Sequence, residues 1–235
     1  MTDNATSADA TFYERLFERQ ALHVVLLVLL LVPVVWLARE PAVTAGELWG
    51  ISGTAWFWVV IVSAIVHQVY VWLCWRLQLH AGLITDVFPQ LGFEIFKVGF
   101  MIFGLSRWLI IPLAVANMGT LPLHGILQWG VSGLFLLLSG YLGYSVRRYF
   151  GVDRAIGLDH FDPDAHTWSF VEEGIFRYTS NGMYVFGFLF LWVPGLMLES
   201  AGALLAAAFH HAYIWVHYYC TEKVDMEYIY GSSSG

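Results

Sequence analysis

Six stretches of this chain are mostly apolar: Leu22–Ala38, Thr54–Trp75, Phe93–Ala116, Leu123–Val146, Met183–Leu198 and Ala201–Cys220. About 20 mostly apolar residues in a helix cross the roughly 30 Å of bilayer hydrocarbon, so these stretches predict about six transmembrane helices. The fifth is short and holds Pro194, and is expected to be tilted, kinked or incomplete. Ahead of the first, Tyr13 to Gln20 mixes charge and apolar groups through Arg15, Phe17 and Arg19. That pattern suits a short helix lying in the membrane interface. The expected fold class is all-α, a polytopic membrane bundle in one domain over residues 1–231, with residues 1–20 as its interfacial N-terminal segment. Met1 to Ala10 is polar and lacks the basic stretch of a cleaved signal peptide, and residues 232–235 read as an appended linker.

The basic residues orient the bundle. With the N-terminus inside, one side receives Arg15, Arg19, Arg76, Lys97, Arg147, Arg148, Arg154, Arg177 and Lys223, and the other only Arg39. Positive charge marks the cytoplasmic side, so both termini are expected there. Arg107 lies inside the third span.

Composition narrows the class. Hydrophobic residues make up 58% of the chain and charged residues 12%, against about 25% charge in soluble domains. The net charge of -7 carries no nucleic-acid footprint. Cys74 and Cys220 sit in apolar segments, which argues against a disulfide framework or zinc cluster. Nine histidines raise the question of a membrane di-metal oxygenase. Such sites need closely spaced histidine boxes, whereas only His210 and His211 are adjacent here. No metal is expected.

The polar residues that remain gather at the cytoplasmic side. His211, Trp215, Tyr218 and Glu222 recur at helical spacing and form one stripe of the sixth span. His210, Tyr213 and His217 form a neighbouring stripe. A face this polar should look into protein or a cavity. The segment from Arg147 to Asn181 is long for a passive connection. It holds carboxylates beside an imidazole in Asp159-His160-Phe161-Asp162 and Glu172-Glu173. Arg177, followed by a good helix N-cap in Asn181, could hold a carboxylate or phosphate. Gly140-Tyr141-Leu142-Gly143 suits either close helix packing or backbone approach by a cofactor. Arg147 and Arg148 suit either anchoring or a lipid phosphate.

At these residues the chain resembles the membrane methyltransferases related to phosphatidylethanolamine N-methyltransferase and isoprenylcysteine carboxyl methyltransferase. Gly140-Tyr141-Leu142-Gly143 with Tyr149-Phe150-Gly151 is similar to the glycine segment and Tyr-Phe-Gly of the phospholipid enzymes. Asn181-Gly182-Met183-Tyr184 is similar to their Asn-Pro-Met-Tyr, with Gly182 in place of proline. Glu222, Asp225-Met226 and Tyr230-Gly231 resemble their acidic C-terminal segment, with Thr221 replacing one of a glutamate pair. The resemblance covers residues 139–231, the expected cofactor-binding core.

It implies S-adenosylmethionine bound at the cytoplasmic end of the last helices. Gly140, Tyr141, Leu142, Gly143, Tyr184 and Glu222 are implicated in cofactor binding, with Arg177 and Asn181 fitting the methionine carboxylate and His211 and Tyr218 lining the site. The expected reaction is methyl transfer to a membrane phospholipid, foremost the amine of phosphatidylethanolamine. Arg147, Arg148 and Arg154 are expected to hold the lipid phosphate. Glu173, then His160, is expected to accept the amine proton, with Tyr184 beside the reacting groups. An isoprenylcysteine carboxyl or thiol methyltransferase is the alternative acceptor chemistry, and a histidine-metal oxygenase the more distant one.

Overall fold

The computed structural model describes residues 11–231, so the expectations for residues 1–10 and 232–235 lie outside the described residues. The described residues begin with a short helix α1 (residues 11–16). A turn at Arg19, with φ +59°, separates it from α2 (Gln20–Leu37). A short α3 (Pro41–Thr44) and a hairpin of β1 (Glu47–Leu48) with β2 (Ile51–Ser52) lead into α4 (Gly53–Ala81). Then follow α5 (Leu83–Val87), α6 (Gly92–Ser106) and α7 (Ile110–Ala116). Beyond them stand α8 (Ser132–Ser145) and α9 (Val152–Ile156). The chain closes with α10 (Gly182–Phe186), α11 (Trp192–Met197), α12 (Ala201–His217) and α13 (Lys223–Tyr230).

Four helical stretches are long and apolar enough to cross a membrane: Thr11–Leu37, Gly53–Ala81, Gly92–Ala116 and Ile126–Phe150. Two of the remaining features trace to proline. A proline removes one helical N–H and crowds the carbonyl four residues earlier. Pro112 lies in α7, and the helix tightens to 3-10 geometry just before it, at Arg107–Leu109. Pro194 lies in α11, and the same tightening occurs at Leu189–Leu191. The fifth stretch is accordingly short and broken, running over Gly182–Met197 in three pieces.

Helix α12 stands at the centre, packed on α2, α4, α7 and α11. Its first half is nearly all small: Ala203, Ala206 and Ala207 are fully buried. Small residues let backbones approach closely where lipid gives no hydrophobic drive. Gly202 shows how close, since a Cβ there would strike the Val43 carbonyl. At this end Asn117 ties three segments together. Its amide donates to the Ala42 and Ala45 carbonyls at 2.9 and 3.0 Å. Its oxygen accepts from Ser200 Oγ and the Gly202 N–H at 2.9 and 2.8 Å. By contrast, α8 is peripheral, with Leu134, Leu136 and Leu137 turned outward.

The opposite, arginine-rich end is closed by Arg76 of α4, which is fully buried. Its Nε donates to Asp225 Oδ1 at 3.0 Å. Its two terminal nitrogens donate to the carbonyls of Arg15, Leu16, Glu18 and Cys220 at 2.7 to 3.3 Å. One side chain thus joins α1, α4, α13 and the turn between α12 and α13.

Candidate functional site

The stripe expected on the last span converges on one residue of the preceding hairpin. Tyr184, buried in α10, donates its hydroxyl to Glu222 Oε2. Its ring lies 5.5 Å from Trp215 and 4.7 Å from Tyr218. Its carbonyl accepts from His211 Nε2 at 2.9 Å, while Trp192 Nε1 donates to His211 Nδ1 at 3.3 Å. This pattern makes His211 a neutral imidazole with its proton on Nε2. Between Tyr218 and Glu222 the helix widens by a π-turn before α13 begins. Such single-turn bulges re-aim side chains and recur at functional sites.

Glu222 and Tyr184 border a half-open cavity of about 350 Å³ lined by α4, α6, α10 and α12. Most of the wall is apolar, including Val71, Phe100, Phe188 and Ile214. Its polar members are His67 and Gln68 from α4, Arg107 at the break after α6, and His217 and Glu222. His67 and His217 are buried, and neither ring nitrogen of either has a hydrogen-bond partner. Unpartnered polar groups in a buried setting cost free energy unless something occupies the space they face. Burial pushes the Glu222 carboxyl, which lies beyond the last span, up to about 8, with Asp225 and Asp159 adding to the rise.

The polar loop is placed differently from the expectation. His160 is buried against Trp75, rings stacked at 4.2 Å, with Nε2 3.4 Å from Asp225 Oδ2. Gly157, at φ +105°, allows that approach, because a Cβ there would come within 2.5 Å of the Trp75 indole. Trp75 lines the cavity and His160 does not. Arg154 is buried too; it donates to the Ser169 carbonyl at 2.9 Å, lies 3.7 Å from Asp159, and covers the Phe150 and Trp168 rings. These two residues clasp the loop to the bundle, and neither is presented to a lipid headgroup. Tyr230 donates to Asp159 in the same clasp, so α13 is fastened to the loop at one end and to Arg76 of α4 at the other.

Arg177 is exposed and lines a second cavity of about 420 Å³ with Phe150, Phe170, Glu172, Phe176 and Ser180. It is not brought to Glu222. Glu173 is exposed, and its carboxylate accepts from the Glu172 N–H at 3.2 Å. Asn181 caps α10 without any side-chain hydrogen bond, so the expected side-chain cap is not formed. Its carbonyl takes the first helical bonds from Tyr184 and Val185. Arg147 and Arg148 are exposed, Arg148 lying over the Tyr149 ring.

Leu142 packs with Ile175 and Phe176 in a small core, while Tyr141 faces outward. Gly140 and Gly143 are exposed, and a Cβ at either would meet nothing within 4 Å. None of these four α8 residues lines the cavity beside Tyr184.

Sequence reasoning missed His67, Gln68 and Trp75 as cavity residues, and left Arg107 without a role. The available signal was the polar content of the second and third spans, where a buried ionisable group is costly enough to mark a site. Among the described residues no three His, Cys, Asp or Glu side chains gather into a metal-binding group.

Residues 127–233 match the family model of phospholipid methyltransferases, which bears out the resemblance read from the motifs. The matched part runs from the start of the fourth apolar stretch through α13 and carries Tyr184 and Glu222; α1 to α7 lie before it. The match supports a membrane methyltransferase of the phospholipid class. No curated protein and no solved structure matches the chain.

Proposed function

We propose that this integral membrane protein is an S-adenosylmethionine-dependent methyltransferase acting on a phospholipid amine, that of phosphatidylethanolamine, at the cytoplasmic face of a six-span bundle. The observation that carries this reading is the Tyr184–Glu222 pair at the edge of a half-open cavity, inside the segment that matches the family. When bound, S-adenosylmethionine supplies the methyl group on its sulfonium.

The residues present fit that group. Glu222 offers acceptor oxygens to the ribose hydroxyls, and the Tyr184 hydroxyl fixes its orientation. The rings of Tyr184, Trp215 and Tyr218 form an aromatic surface suited to a sulfonium. The apolar walls contributed by Phe100, Phe188 and Ile214 keep water from the reacting atoms. Arg147, Arg148 and Arg177, exposed at the arginine-rich end, are free to meet the lipid phosphate. A protonated amine must lose a proton before it attacks. Glu173 is the solvent-side acceptor for it; His217 takes the place expected of His160, being, with His67, one of two imidazoles that line the cavity without a partner and the one on the same helix as the stripe that ends at Glu222.

A second reading, a carboxylate or thiol acceptor, is favoured by the cationic Arg107 in the cavity wall. Purified protein incubated with labelled S-adenosylmethionine and total lipid decides between them by the identity of the labelled product. Label in monomethyl-phosphatidylethanolamine is the expected result. A protein that neither labels any lipid or thiol nor responds thermally to millimolar cofactor would sink the assignment.

A further inference from the structure

Arg107 is an arginine buried deep in the third span with almost nothing to neutralise it. Its NH1 donates to His210 Nδ1 at 3.0 Å, and its guanidinium lies 4.9 Å from the Phe188 ring centre. Because Nδ1 accepts, the His210 proton sits on Nε2 and is donated to the Val60 carbonyl at 3.1 Å. His210 is therefore neutral and supplies no countercharge. Arg107 enters none of the ion pairs among the described residues. A guanidinium carries five N–H donors in a planar fork, and only one of its bonds is accounted for within the protein. Arg107 lines the cavity.

Next to it on the cavity wall stands His67, 4% exposed, with both ring nitrogens unpartnered. Its contacts are the rings of Phe100 and Phe103, which leave its polar atoms without an acceptor or donor. Two buried polar side chains, one permanently cationic, thus line the same cavity with unused hydrogen-bonding capacity. A buried charge persists when it pairs or binds, because leaving it alone in a low-dielectric setting is costly. The level of Arg107 is that of His210 on α12, and Glu222 lies twelve residues further along. At a rise of about 1.5 Å per residue the two polar ends of the cavity are roughly 18 Å apart along the helix.

We infer that Arg107 and His67 form an anion subsite at the inner end of the cavity, taking the carboxylate or thiolate of a small organic molecule that lies along it. Arg107 supplies a two-pronged contact to the anion, and His67 donates a further hydrogen bond. The inference rests on the cavity belonging to the methyltransferase site only for the choice of probes. The anion has two sources, the methionine carboxylate of the cofactor or an anionic methyl acceptor, and the experiment separates them.

Thermal unfolding and calorimetric titration are run on wild type, Arg107→Lys and Arg107→Met in detergent. The probes are S-adenosylhomocysteine, 5′-methylthioadenosine (which lacks the amino-acid carboxylate), and acetate against chloride at equal ionic strength. Losing a charge-assisted pair costs about tenfold to a hundredfold in affinity. If the cofactor is the source, wild type prefers S-adenosylhomocysteine by that factor, Arg107→Lys keeps part of the preference, and Arg107→Met abolishes it. If the acceptor is the source, both nucleosides bind all three proteins alike, while acetate stabilises wild type and not Arg107→Met.

Wild type showing neither nucleoside preference nor acetate stabilisation would overturn the subsite, whatever the variants do. Acetate stabilisation that depends on Arg107 in a protein that binds neither nucleoside would keep the subsite and remove the methyltransferase reading.

Discussion

Arg76 at the arginine-rich end and Arg107 at the break in the third span are both cations taken out of solvent, and their surroundings are opposites. Arg76 meets a carboxylate and four backbone carbonyls, drawn from the N-terminal segment, the turn after α12 and α13. Arg107 meets one neutral imidazole, one aromatic face and a cavity. The same residue type is a closed fastener in one place and an open socket in the other. The difference lies in what the polypeptide delivers to the guanidinium, and it separates a structural charge from a binding one without reference to position in the membrane.

The largest expected effect tests that separation directly. Arg76→Met leaves Asp225 buried without its cation, and breaking a buried pair in this way costs about 3–5 kcal/mol. Unfolding in detergent should show that loss. Arg107→Met strands no carboxylate and should stay within about 1 kcal/mol of wild type in the same assay. Equal losses for the two variants would break the comparison.

Next in size is Glu222→Gln, which keeps a hydrogen-bonding partner for Tyr184 but removes the charge. Cofactor affinity should fall by about 1.5–3 kcal/mol, or roughly tenfold to a hundredfold, with folding unchanged. Calorimetry showing full affinity in a folded variant would make Glu222 a fastener of the Arg76 kind.

The same carboxyl sets a pH dependence. With its value raised to about 8 from an unfolded value of 4.5, the folded protein holds this proton more tightly than the unfolded chain. The stabilisation is complete below about pH 4.5 and is lost as pH rises through about 8. Cofactor binding runs the other way, since the ionised form is the better acceptor for hydroxyls. Affinity should rise by up to about tenfold per pH unit below 8 and level off above it. A flat affinity between about pH 6 and pH 9 would show that the charged form is not required.

The smallest effect concerns α8. Gly143→Ala adds a Cβ that meets nothing within 4 Å, so the helix should gain about 0.5–1 kcal/mol. A gain in stability accompanied by weaker cofactor binding would show that the cofactor lies against this exposed backbone. A gain without that loss would confine binding to the Tyr184 cavity.

Four of the spans were legible because long apolar runs have few alternatives in water or lipid. The stripe of His211, Trp215, Tyr218 and Glu222 was legible from helical spacing, and the structure adds that Tyr184 touches all four. Two kinds of information were not. The burial of His160 depends on Gly157 letting the loop reach Trp75, a contact between positions 82 residues apart in the chain that no local pattern encodes. The helix breaks are local, with proline as their cause, but which side chain a break aims inward is settled by packing. Arg107 sits at such a break, five residues before Pro112, and only its neighbours reveal that no anion accompanies it.

The broken hairpin bears on the lipid as well as on the protein. At about 1.5 Å per residue, Gly182–Met197 reaches only some 24 Å, short of the roughly 30 Å of hydrocarbon around it. A bilayer meets such a deficit by thinning locally. Were this hairpin to span the bilayer, such thinning along its flank would draw the membrane surface in toward Tyr184 and shorten a headgroup's path to the cavity. A dimple of that kind predicts that a thicker bilayer slows lipid methylation, read as turnover in vesicles of increasing acyl length.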